Sequence, residues 1–106
     1  MFIHKVLFRI QKKHVPAYVV DCKMWGREAK KHPGFLAYET LIRINEKNQY
    51  ASLYTWKAEK YHTRFMKKHH DRLVSKSKCP VEVLGYYNFK TLSEAKRFDP
   101  PRSLAD

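Results

Sequence analysis

The chain reads as an α+β domain of the ferredoxin-like plan, β-α-β-β-α-β: a four-stranded antiparallel sheet with two helices on one side. Three observations predict it. Apolar, aromatic and β-branched runs occur at residues 2–10, 35–44, 49–56 and 81–92. Two stretches with a helical period, starting at Pro16 and at Ala58, separate the first run from the second and the third from the fourth. The second and third runs are joined only by Asn45-Glu46-Lys47-Asn48, a turn by composition. At 106 residues the chain is long enough for one core and not for two. The domain is assigned to 1–92, with 93–106 as a C-terminal tail or arm because Pro100-Pro101 lies in a stretch of low apolar content.

The elements follow in order. In strand one, Phe2, His4, Val6, Phe8 and Ile10 alternate with Ile3, Lys5, Leu7 and Arg9. Pro16 suits the first turn of helix one, where a missing N–H is no loss. Tyr18, Cys22, Trp25 and Ala29 form its apolar stripe, widened by Val15 and Val19. Lys30, Lys31 and His32 complement the negative end of the helix dipole, and Pro33-Gly34 stops the helix. In strand two, strict alternation puts Leu36, Tyr38, Thr40, Ile42 and Ile44 on one face and Phe35, Ala37, Glu39, Leu41 and Arg43 on the other. Neither face is polar, so both call for cover: helices on one, a partner's sheet on the other. A homodimer with facing sheets, a dimeric α/β barrel, is therefore expected. Strand three is Gln49–Trp56, and helix two carries Ala58, Tyr61, Phe65, His69 and Leu73 on its stripe, with Met66 beside it. In strand four the expected faces are Val81, Val83, Tyr87 and Phe89 against Glu82, Leu84, Tyr86 and Asn88.

The net charge is +12, and residues 57–78 alone hold eight basic and two acidic side chains. Such a balance suits an anionic partner or serves solubility. The two cysteines, Cys22 and Cys79, form neither a metal motif nor a disulfide framework. No apolar run approaches the roughly 20 residues of a membrane span. The N-terminal run, broken by His4, Lys5 and Arg9, lacks the features of a signal peptide. A cytoplasmic protein is expected. With three glycines there is no phosphate-cradling loop, which argues against a nucleotide cofactor.

The stretch HPGFLAYETL, a polar turn, and then YASLYTWKAEKYHTRFMKKHH resembles the antibiotic biosynthesis monooxygenase family of dimeric α/β-barrel proteins. Pro33-Gly34 before strand two, Glu39 within it, Trp56 at the end of strand three and Phe65 on the following helix carry the likeness, which extends over roughly residues 2–91. The resemblance implies a small oxidoreductase, a monooxygenase acting without flavin or metal on an aromatic or planar ligand held between sheet and helices. Trp25, Trp56, Tyr61, Phe65 and Met66 are its candidate pocket walls. A haem-binding or haem-degrading member is the alternative within the same family. That branch uses an Asn on strand one, a Trp on helix two and a later His. Here Val6 and Leu7 stand near the first position and Phe65 at the second, and His69 or His70 is the candidate axial ligand.

Among single residues, His69 on the helix-two stripe and Glu39 in its strand are the candidate catalytic groups. A neutral imidazole carries protons. A carboxylate among apolar neighbours has a raised proton affinity and suits a general base on a phenol. The bland alternatives are a core-edge histidine and an ion pair of Glu39 with Arg43 or Arg9. His4 is the other strand residue with acid–base capacity. Two non-enzymatic readings compete: a dimeric ligand-binding protein of this fold and an RNA-binding module. Against the RNA signature, Lys47–Tyr54 matches only at its two ends, and the positive charge gathers on helix two rather than on the sheet. Nucleic acid is thus the less favoured partner.

Overall fold

The computed structural model describes residues 1–94, so the expected tail lies, from residue 95 on, outside the described residues. The elements are β1 (Phe2–Arg9), α1 (Val15–Lys30), β2 (Phe35–Ile42), β3 (Gln49–Trp56), α2 (Glu59–Lys76) and β4 (Glu82–Lys90), with 3-10 turns at Lys12–His14 and Leu92–Glu94. The four strands form one antiparallel sheet in the order β2-β3-β1-β4. This is the ferredoxin-like plan. β3 matches its expected bounds, whereas β2 ends at Ile42, two residues early. The hairpin is closed there by Arg43 N–H donating to the Gln49 carbonyl at 3.0 Å, which leaves Ile44 89% exposed. Asn48 completes the turn at φ 62°, a left-handed conformation that asparagine tolerates.

Strict alternation fails in two places, for one reason. β2 pairs Phe35 with Trp56 and Ala37 with Thr55, so Leu36 is an extra residue and a bulge. Phe35 therefore shares the helix-facing side with Tyr38, and its ring meets that of Trp56 edge-on at 5.5 Å. β4 has a second irregularity, between the Gly85 and Val83 pairings, which moves Val83 onto the side of Tyr86 and Asn88. The helix-facing side then carries Phe2, His4, Val6 and Phe8 of β1, paired with Trp56, Tyr54, Ser52 and Tyr50 of β3.

Trp56, Phe65 and Leu73 are fully buried with Phe2, Ala29 and Tyr54, and Ile10, Tyr18 and Cys22 form a second cluster. α1 packs on β2, and α2 packs on β1 and β3. β4 is the edge the helices leave open: Tyr86 and Val83 face the helix side yet are 64% and 42% exposed. Among the described residues nothing covers the other side of the sheet, which presents Leu41, Tyr87 and Phe89, with Lys5 Nζ 4.9 Å from the centre of the Tyr87 ring. The turn between α1 and β2 depends on Gly34 (φ 83°), where an added Cβ would collide with the Tyr61 ring. Asp21, on the inner side of α1, is buried and accepts hydrogen bonds from the Lys78 and Cys79 N–H groups, which fixes the loop into β4.

Candidate functional site

Two polar groups interrupt the apolar layer between sheet and helices. The first lies where α2 leaves β4 uncovered. The alternation of β1 turns His4 inward, and the register sets it opposite Asn88 on β4 and Tyr54 on β3. His4 Nδ1 lies 2.7 Å from Asn88 Oδ1. With Nδ1–H donating to that oxygen, Nε2 keeps the lone pair. The His4 ring stacks on Tyr86 (6.2 Å, 19°) and lies 4.3 Å, centre to centre, from His62 on α2. His62 in turn contacts Phe2 at 5.2 Å, and its Nδ1 is buried without a partner.

Burial holds the His4 imidazole below the ordinary histidine value, against the opposing pull of the Asn88 hydrogen bond. Burial, then repulsion from His4, depresses His62 to about 4. Both rings are therefore neutral at pH 7. A histidine whose folded-state value is depressed takes up its proton more readily when unfolded, so its contribution is complete above 6.5 and is lost as pH falls toward 4. Between pH 7 and 4.5 the urea midpoint should fall, with His62 responsible for on the order of 1–2 kcal/mol after allowance for partial exposure. Replacing His62 with Phe should remove that part of the slope.

The second group lies under α1. Ser52 Oγ is 2.8 Å from Tyr18 Oη, accepts from Tyr38 Oη at 3.0 Å and lies 4.0 Å from Cys22 Sγ. Burial pushes the Tyr18, Tyr38 and Tyr54 phenols up, so they keep their protons and do not act as bases. A cleft of about 580 Å³ opens beside this network between α1 and β2, with Tyr38, Phe35 and Gly26 on its walls and Lys23, Arg27 and Lys30 at its edge.

The residues expected to form a pocket do not surround a common space. Trp56 and Phe65 are core, 0% and 1% exposed, because β3 and α2 direct both rings into the same packed cluster. Trp25 and Met66 pack around that cluster, and Trp25 Nε1–H donates to Ser77 Oγ at 2.9 Å. Tyr61 also packs there, and it lines a separate surface cleft. Glu39 pairs with Leu53 across the strands and so points to the uncovered side of the sheet, exposed and away from the helices. The ion pair considered for it is absent from the described residues: Arg9 binds Glu82 at 2.9 Å and Arg43 binds Gln49 at 2.8 Å.

The surroundings of the α2 histidines decide whether they could ligate a haem. His69 Nδ1 accepts from Arg72 at 2.8 Å, which leaves the proton on Nε2, and Nε2 is buried where the ring packs against His32 and Phe65. His70 Nδ1 lies 3.1 Å from Asp71, and its ring packs edge-on against Trp25. With Phe65 enclosed as well, these residues do not fit a haem. Among the described residues, no group of three or more His, Cys, Asp or Glu could hold a metal ion, and no helix is long and apolar enough to cross a membrane.

His62 escaped the sequence reading, and Tyr86 and Asn88 entered it only as residues sharing a face of strand four. His62 sits four residues before Met66 and three before Phe65, a stripe position hidden by its neighbour Tyr61. Asn88 could be seen as a partner of His4 only once the register was known.

No family model matches the chain, and no curated protein matches it in sequence. Solved structures do share its fold. A provisionally named antibiotic biosynthesis monooxygenase from Deinococcus radiodurans superposes with a TM-score of 0.72 at 12% identity, over 94% of this chain and 100% of that one. A second protein so named, from Nitrosomonas europaea, gives 0.64 at 13% identity over 87% and 99%. SnoaB, a cofactor-independent oxygenase from Streptomyces nogalater, gives 0.60 at 11% identity over 85% and 91%. At these identities the likeness establishes the fold: the chain has the architecture of the antibiotic biosynthesis monooxygenases.

Proposed function

We propose that this protein is an oxygenase of the antibiotic biosynthesis monooxygenase type. Its substrate is an aromatic molecule with an ionisable hydroxyl, bound over β4 against Tyr86. The observation that carries this reading is the neutral His4 imidazole, oriented by Asn88 and stacked on Tyr86 at the uncovered edge of the sheet–helix layer. Its fold relative SnoaB, described as a cofactor-independent oxygenase, lends support.

The roles follow from the geometry. His4 Nε2 takes the hydroxyl proton, and the imidazolium that forms keeps its Nδ1–H on Asn88 Oδ1. The bound anion opposes the desolvation that otherwise disfavours a charged His4. An aromatic oxyanion, unlike the neutral phenol, passes an electron to dioxygen. The two radicals combine at a ring carbon that carries hydrogen, a C–O bond forms, and the peroxide anion takes back the proton held by His4. The O–O bond then breaks as that carbon loses its hydrogen, so that water leaves and a carbonyl remains. Flavin and metal take no part in this reading. The uncovered sheet side, with Leu41, Tyr87 and Phe89, pairs with a second copy, so light scattering should give about twice the 12.7 kDa of one chain.

Oxygen uptake by the purified protein with naphthohydroquinones and polyphenols, with a chelator present, tests the activity. Saturable uptake above autoxidation is expected. Compounds that bind and consume no oxygen would make this a ligand-binding protein without catalysis.

A further inference from the structure

A second concavity, of about 550 Å³, opens where the α1–β2 turn meets α2, lined by His32, Pro33, Tyr61, Arg64, Lys67 and Lys68. Tyr61, Arg64 and Lys68 are spaced three and four apart and form one ridge of α2, with Lys67 beside it. Arg64 follows His62 by two residues, about 200° round the helix, so the cleft faces away from the His4 group.

Three features distinguish this cleft from an ordinary basic surface. Among the described residues no acidic side chain lines it. Two helix acids in this part of the molecule have basic partners of their own: Glu28 binds Lys31 at 3.3 Å and Arg72 at 3.4 Å, and Asp71 binds His70. Its aromatic wall is fixed, because the Tyr61 ring rests on the bare Cα of Gly34, where any Cβ would collide with it. Arg64 and Lys60 lie 5.9 and 5.2 Å from the centre of that ring. Three like charges within two turns repel one another, and a multiply charged anion relieves that repulsion better than a single carboxylate. Arg64 adds a planar fork suited to phosphate oxygens.

We infer that this cleft binds the phosphate group of a small organic phosphate, held by Arg64, Lys67 and Lys68, with the organic part packed on Tyr61 and Pro33. The net charge of +12 raises the local concentration of such anions, and the cleft selects among them.

Calorimetric titration of the full chain near physiological salt, with phenyl phosphate, inorganic phosphate and a single-stranded RNA of mixed sequence as probes, tests the inference. One phenyl phosphate per chain should bind saturably. Arg64→Gln and Lys68→Gln should each weaken it at least about tenfold. Lys13→Gln, which removes the same charge from the distant 3-10 turn, should leave it unchanged. Tyr61→Leu should weaken phenyl phosphate and spare inorganic phosphate, which separates an organic phosphate from the free ion. Equal small losses in the Arg64, Lys68 and Lys13 variants would overturn the inference in favour of diffuse charge. Saturable binding of the RNA alone would overturn it in favour of a polyanion surface. Saturable binding of no probe would overturn it outright.

Discussion

Replacing Trp56 with alanine should lower the folding stability by about 3–5 kcal/mol. Trp56 is among the largest fully buried side chains and has Phe35 and Phe65 within 5.5 Å. β2, β3 and α2 all contribute to its surroundings, so the space left by truncation cannot collapse without moving the sheet. Phenylalanine at the same position should cost less than about 1.5 kcal/mol. The indole Nε1–H is buried without a partner, and a phenyl ring removes that unsatisfied donor while keeping most of the packing. Urea denaturation followed by circular dichroism measures both variants. Because Trp56 is core, Trp56→Phe should also retain oxygen uptake. Lost uptake at unchanged stability would mean that Trp56 touches the substrate.

The largest effect on activity should come from His4→Gln, with kcat/KM for oxygen uptake reduced about 10²–10⁴-fold. Glutamine can still donate to Asn88 but has no basic nitrogen. The loss should appear with little change in the urea midpoint. His69→Ala should leave uptake unchanged, since both ring nitrogens of His69 are already bonded or enclosed. In the wild type, uptake should fall as pH drops through the His4 value, which burial holds below 6.5, so the acid limb of the profile should lie below that pH. An acid limb above it would point to a different base.

The fold was legible because each of its signals is local. The period of β1, the Pro33-Gly34 stop, the four-residue polar turn and the aromatic β3 each reveal an element without knowledge of the rest. What eluded the sequence was whatever depends on pairing. The Leu36 bulge reverses the side on which Phe35 lies, and no residue type marks it. The irregularity in β4 does the same for Val83. The site followed the same division. His4 was visible as a strand histidine with acid–base capacity, but its partner is 84 residues away and depends on the β1–β4 register. Glu39 and His69 were attractive from their neighbours in sequence, and the fold turned the first to the uncovered side and engaged the second with Arg72.

The claim that His4 accepts the proton of a bound aromatic hydroxyl can be tested without turnover. Under nitrogen, a hydroxynaphthalene is titrated with the protein at a pH well below the compound's own pKa, and its absorbance is recorded. Binding to the wild type should produce the oxyanion band, and binding to His4→Gln should leave the neutral spectrum. A ligand that stays neutral on the wild type, or that ionises equally on His4→Gln, would contradict the assignment of the proton to His4.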